Sequence, residues 1–171
     1  MEVSSIVNHE ELIRTRARLY DEIRSLSKDE LNRKPADREA WSIGQICHHL
    51  ILSEGSFADA IDYGLERGKK IPAEAKPIER ALDRSIKTEA PSTSIPDPGP
   101  FQVTQLMEGL ETSRVYFNNV INKVDDEQQL TDISVKHPKF GRLSLKQWAE
   151  LLPMHETRHI EQIQELKTNR S

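Results

Sequence analysis

Residues 144–163 read SLKQWAELLPMHETRHIEQI, and their spacing decides how the rest of the chain is read. Leu145, Trp148, Leu152, His155, His159, Ile163 and Leu166 recur at three- and four-residue intervals, the period of a helix with one buried face. Ser144 followed by Gln147 predicts a capping box at its start, and the pattern carries the helix to about residue 167. Pro153 removes one backbone donor within it and predicts a bend just before His155. His155 and His159 stand at i and i+4 and project from one side of the helix. That side also carries the apolar residues, so the two imidazoles point toward the core, at the spacing needed to share one metal ion.

His155-Glu156-Thr157-Arg158-His159 also spells the H-E-x-x-H motif of zinc peptidases. That class takes a further ligand downstream. Only twelve residues follow His159, none of them histidine, and Glu161 and Glu165 fall on the same helix. A third ligand must come from upstream. The stretch Trp41-Ser42-Ile43-Gly44-Gln45-Ile46-Cys47-His48-His49-Leu50 offers it. Ser42 and Gln45 predict a capping box, and the helix they open runs to about residue 67, with Gly68 as its stop. Ile43, Ile46, Cys47, Leu50 and Phe57 form its apolar side, and Ser42, Gln45, His49, Ser53 and Ser56 form an adjoining polar stripe. His48 is turned about 100° from His49 and reads as exposed.

Two more helices complete the set. Leu12, Ile13, Arg16, Leu19, Tyr20 and Ile23 predict one over 8–26, and Leu106, Leu110, Phe117, Val120, Ile121 and Val124 predict one over 102–124. Between the second and third helices lies a segment without periodicity, 69–100, holding six of the nine prolines. A stretch of that length lets the helices it joins run parallel, as a short hairpin loop does not. Residues 133–143 read as a short ordered loop or hairpin. The chain is thus all-α: a single domain over 1–171 forming a four-helix bundle, up-down-down-up, with a long crossover between helices two and three.

Register tests the third ligand. His49 lies about 10 Å into its helix, and His159 and His155 lie about 12 and 18 Å from the far end of theirs. If those helices run antiparallel, the three imidazoles meet at similar heights; if parallel, His159 lies about 22 Å along and misses His49. The crossover predicts the antiparallel case. The crossover is then expected to pass the end where His49 and His159 lie and to wall a pocket there.

These residues resemble the DinB-like superfamily, which includes YfiT-type metal-dependent hydrolases and bacillithiol or mycothiol S-transferases. The resemblance is strongest at Trp41 through Leu50 and from His137-Pro138-Lys139-Phe140-Gly141 through Ile163. It implies a four-helix bundle with a long crossover and a divalent metal ion, zinc or nickel, held by one histidine of the second helix and two of the fourth. By position these are His49, in the His-Leu step after Trp-Ser, with His155 and His159.

Such a site implies one of two functions. One is a metal-dependent hydrolase or thiol S-transferase acting on a small molecule. The other is a non-catalytic metal-binding or stress-associated protein in which the ion ties two helices together. Glu156, between two ligands, suits a general base or a partner behind the ligands; the plainer reading is a solvated surface carboxylate. Cys47 reads as a small buried hydrophobe, Trp41 and Trp148 as packing residues, and Arg158 as a salt-bridge partner or an anion contact. His9 and His137 fall outside the stripes and read as incidental.

Composition narrows the partners. A net charge of −4 with 30% charged residues gives no dominant basic face for nucleic acid. No run approaches the ~20 apolar residues of a membrane span, and the first twenty residues carry charge throughout, so no secretory signal is expected. A single cysteine excludes an internal disulfide and a cysteine-based zinc site. The expectation is a cytoplasmic protein with a small-molecule substrate, a thiol among the candidates, and a homodimer is compatible with it.

Overall fold

The computed structural model describes residues 7–169. Helix α1 spans His9–Ile23 and is capped by the Asn8 side chain, which accepts from the Glu11 N–H. The short α2, Lys28–Asn32, follows behind a reciprocal Ser27–Glu30 capping box. Helix α3 spans Ile43–Arg67. The Ser42–Gln45 box closes its start in both directions, and Gly68, at φ 58°, ends it in the left-handed conformation that glycine adopts without strain. Helix α4 covers Val103–Ile121, α5 covers Gln128–Asp132, and α6 runs from Leu145 to Thr168 through Pro153 without a break. Strands β1, Ser134–His137, and β2, Gly141–Ser144, form the hairpin ahead of α6.

Several local expectations change. The helices α1 and α4 each end about three residues early, because Leu26 and Val124 bond the carbonyls three residues back and tighten the chain out of the α-helix. Ser144 caps α6, but Gln147 does not complete the box. Its side-chain amide instead pairs both ways with the Lys76 backbone, at 2.9 and 2.8 Å, and pins the crossover to α6. Ile13, placed on the buried stripe by its spacing, is 69% exposed. The crossover is not featureless: Ile78–Leu82 and Ser92–Ser94 form 3-10 turns.

Helix directions follow from the side chains that link them. Along α3 and α4 the pairs Glu54–Arg114, Asp59–Tyr116 and Asp62–Lys123 rise together, so these helices are parallel. Arg16–Glu156 and Glu22–Lys167 make α1 and α6 parallel in the same way. Between α3 and α6 the order reverses, from His49 with His155 to Phe57 with Trp148, so they are antiparallel. The bundle is up-down-down-up. At Gly64, near the end of α3, an added Cβ would lie 2.9 Å from Leu145, so glycine lets the hairpin and the start of α6 close on α3.

The apolar core falls into two clusters, one around Phe117, Ile61 and Leu152 and one around Ile46, Leu110 and Ile163. Between them, one charged residue from each long helix enters the interior: Arg16, Glu54, Arg114 and Glu156, none more than 9% exposed. Arg16 meets Glu54 at 2.7 Å and Glu156 at 3.1 Å, and Arg114 meets the same carboxylates at 2.9 and 3.0 Å. Arg16 also donates to the Leu110 carbonyl and Arg114 to that of Leu12. Two positive and two negative groups cancel, and the carboxylate oxygens are all engaged. Among the described residues, no helix is long and apolar enough to cross a membrane.

Candidate metal centre

Three imidazoles converge where α3 and α6 cross beneath the proline-rich crossover. His49 comes from α3, His155 and His159 from α6, and one ring nitrogen from each lies within 4.8 Å of the others. The ring centroids are 4.6–5.2 Å apart. His49 Nε2 stands 3.3 Å from His155 Nε2. Two nitrogens about 2.1 Å from one tetrahedral ion would be separated by about 3.4 Å.

Neighbouring groups set the tautomers. The Nδ1–H of His49 donates to the Ser94 carbonyl of the crossover at 2.7 Å, and the Nδ1–H of His159 donates to Gln162 Oε1 at 2.8 Å. Each bond holds the proton on Nδ1 and leaves a lone pair on Nε2, as partners behind metal-bound histidines do. His155 has no such partner; its Nδ1 is buried and unbonded among the described residues. The ring of Trp41 covers His49 at 4.9 Å and that of Phe57 covers His155 at 5.7 Å. Ser53 Oγ lies 3.4 Å from His49 Nε2.

Burial is the main reason that all three lose basicity. His49 is lowered; His155 falls well below the ordinary histidine value, helped by His159 and His49; and His159 falls to about 3, helped by His49. All three are therefore neutral near pH 7, the state in which imidazole donates to a metal. Lone pairs that face one another without a carboxylate among them fit a cation. An all-imidazole set suits a divalent first-row transition metal.

The other candidates are placed as follows. Glu156 is neither a solvated surface group nor a base poised at the histidines. It is 2% exposed, and Arg16 and Arg114 hold its carboxylate. Burial raises its pKa, and the two guanidiniums oppose that rise. Cys47 is buried in the core, which pushes its thiol up to about 12. Arg158 makes no salt bridge among the described residues. It donates to the carbonyls of Ala81, Asp83 and Ile86 and anchors the crossover over α6. The crossover does pass the histidine end, as its contacts through Ser94 and Arg158 establish. His48 is partly buried, with its Nδ1 accepting from the Asp97 N–H and its ring 5.4 Å from Phe101. Trp148 packs and also donates from Nε1 to the Val135 carbonyl. His9 takes no part in the trio. His137 is not incidental: it is buried beside Phe57, Phe140 and Trp148. Its signal was weak because it lies on a hairpin, where helical spacing says nothing.

With this geometry the chain can be set among known proteins. Residues 11–163 match the DinB superfamily. The uncharacterized protein YuaE of Bacillus subtilis (strain 168) is 31% identical over 155 residues, spanning 89% of this chain and 92% of YuaE. Among solved structures, the four-helix bundle protein TT2238 superposes with a TM-score of 0.61 at 18% identity, over 91% of this chain and 94% of that one. YfiT from Bacillus subtilis, described as a probable metal-dependent hydrolase with an unusual four-helix bundle topology, gives 0.62 at 19% identity, over 98% and 86%. At these identities the two structures speak to the fold.

Proposed function

The chain belongs to the DinB superfamily, and on that footing we propose that it is a metal-dependent hydrolase or thiol S-transferase acting on a small molecule through His49, His155 and His159. The observation that carries this reading is the convergence of three neutral imidazoles, two of them with Nδ1 tied to a fixed acceptor so that Nε2 faces the centre. A divalent zinc or nickel ion held there would supply Lewis acidity, polarising a carbonyl and lowering the pKa of water or of a thiol toward neutrality.

The chain's own residues supply the rest. Trp41 and Phe57 cover two of the rings, and the Ser94 carbonyl and Gln162 fix ring orientation. The Ser53 hydroxyl beside His49 Nε2 is available to hydrogen-bond a water or a substrate oxygen. His155 keeps part of its surface open to solvent, which supports an enzyme over an ion sealed in as a tie between helices. YfiT's description as a probable metal-dependent hydrolase points the same way.

The test is metal analysis of protein purified without chelator, followed by assays of ester and amide hydrolysis and of thiol transfer. About one zinc or nickel ion per chain, absent from His155→Ala, is the expected result. A chain that takes up neither ion sinks the proposal. One that binds the ion tightly but turns over nothing in either assay favours the non-catalytic reading.

A further inference from the structure

The turn between β1 and β2 carries two polar groups that the fold leaves unused. His137 is 8% exposed, and its Nδ1 accepts from the backbone N–H groups of Lys139 at 3.1 Å and Phe140 at 3.3 Å. Those two donors fix the tautomer: the proton sits on Nε2, and Nε2–H has no hydrogen-bond partner among the described residues. The buried side-chain polar atoms without a partner among the described residues are Asn118 Oδ1 and His155 Nδ1, so His137 Nε2–H keeps contact with solvent and is open to a ligand. Lys139 is exposed at the tip of the same turn, and its ammonium has neither a carboxylate nor any other partner among the described residues.

The turn borders the histidine trio. The Phe57 ring stands 6.3 Å from that of His137 and 5.7 Å from that of His155, so one aromatic side chain separates the turn from the centre. Lys139 is near enough for its charge to disfavour protonation of His49, His137 and His155. Arg158, whose guanidinium bonds backbone carbonyls, adds its charge at Lys139, partly offset by Asp83 and Glu161. A chain of net charge −4 thus presents a locally positive approach to its trio, and such a field draws anions.

We propose that the His137–Gly141 turn is the recognition side of the centre: the Lys139 ammonium takes an anionic group of the substrate, carboxylate or phosphate, while His137 Nε2–H donates to an oxygen of that group. The substrate class is then a small molecule with an anionic end and the reacting bond, or thiol, a few ångströms away at the trio. This rests on the function proposed above for where the reaction occurs, but neither Lys139 nor His137 belongs to the trio, so the turn is open to separate test.

Succinate and inorganic phosphate, with neutral acetamide as control, are titrated calorimetrically into zinc-loaded and chelated protein, wild type and Lys139→Gln. Lys139 is exposed, so the variant folds. Both forms of the wild type are expected to bind one of the anions over acetamide, and the tighter of the two identifies carboxylate or phosphate. Lys139→Gln should weaken that binding at least about tenfold, Lys139→Arg should restore most of it, and the His137 Nε2–H resonance should shift as the anion is added. Anion binding only in the zinc form and unchanged by Lys139→Gln overturns the subsite and leaves the metal proposal intact. Failure to bind either anion also overturns it. A chain that takes up no metal yet binds anions through Lys139 keeps the subsite and loses the proposed function.

Discussion

Two polar clusters lie side by side in this bundle, and they are built on opposite terms. His155 and Glu156 are adjacent on α6; His49 and Glu54 lie little more than one turn apart on α3. The glutamates join Arg16 and Arg114 in a layer where each charge meets an opposite charge within 2.7–3.1 Å. The histidines join one another and, among the described residues, pair with no carboxylate; a ring nitrogen of each lies within 4.8 Å of the others. The first cluster is complete within the chain and divides the apolar core at mid-height. The second, under the function proposed above, becomes complete by taking in an ion. A buried polar group is a structural device when its partners are present and a binding device when they are missing, and here one helix carries both in consecutive residues.

The largest expected effect breaks the complete cluster. Glu54→Gln removes one carboxylate from between two guanidiniums and leaves buried positive charge uncompensated. It should lower stability by about 3–5 kcal/mol in urea unfolding, and a loss under about 1 kcal/mol would show that the layer is not closed as described. Glu156→Gln should also destabilise, yet leave the ion content per chain unchanged. Loss of the ion in that variant would merge the two clusters into one site.

Next comes completion of the open cluster. Zinc at about one hundred times its Kd should raise native stability by about 2.7 kcal/mol, because it binds the folded arrangement alone. His155→Ala should lose this response while far-UV circular dichroism shows the same helix. Equal melting of chelated and zinc-loaded wild type would end the claim that the trio binds an ion when folded.

An effect smaller for each residue separates the clusters by pH. Burial places His159 at about 3 and His137 at about 4, with His49 and His155 also lowered. Below the unfolded value of about 6.5 the unfolded chain binds protons that the native chain refuses. Native stability is therefore full above that pH and falls as pH drops through the window, by up to about 1.4 kcal/mol per pH unit for each such histidine. The urea midpoint of chelated protein should fall between pH 7.5 and 5.5, and less steeply in His159→Gln. A flat midpoint would mean that the rings are not held neutral.

What the sequence disclosed divides along the same line. The ends of α3 and the start of α6 were readable because Ser42, Gln45, Gly68 and Ser144 act within a few residues of themselves. The trio was readable because i, i+4 spacing and helix length fix height. Glu156 was not, because its partners Arg16 and Arg114 lie 140 and 42 residues away. A trace of the layer exists even so: Arg16, Glu54, Arg114 and Glu156 each stand four residues after a leucine of the buried stripe, at Leu12, Leu50, Leu110 and Leu152. One ionisable group at core spacing on each of four helices, two of each sign, is a pattern that only the assembled bundle explains. Helices α2 and α5, at five residues each, are too short to show a period.

The smallest expected effect tests how the open cluster is roofed. Arg158 sits on α6 between His155 and His159 and donates to the carbonyls of Ala81, Asp83 and Ile86. The crossover is also held by Gln147 at Lys76 and by His49 at Ser94, so Arg158→Gln should release only the stretch between those ties. Partial exposure limits what these bonds contribute, and global stability should fall by about 1 kcal/mol. Hydrogen exchange should nonetheless speed at Arg80 and Asp83, whose amides bond within the 3-10 turn, while amides of α3 and α4 keep their protection. Uniform loss of protection across the bundle would mean that the crossover is part of the complete, structural half of the molecule; loss confined to its middle would mark it as a cover laid over the open half.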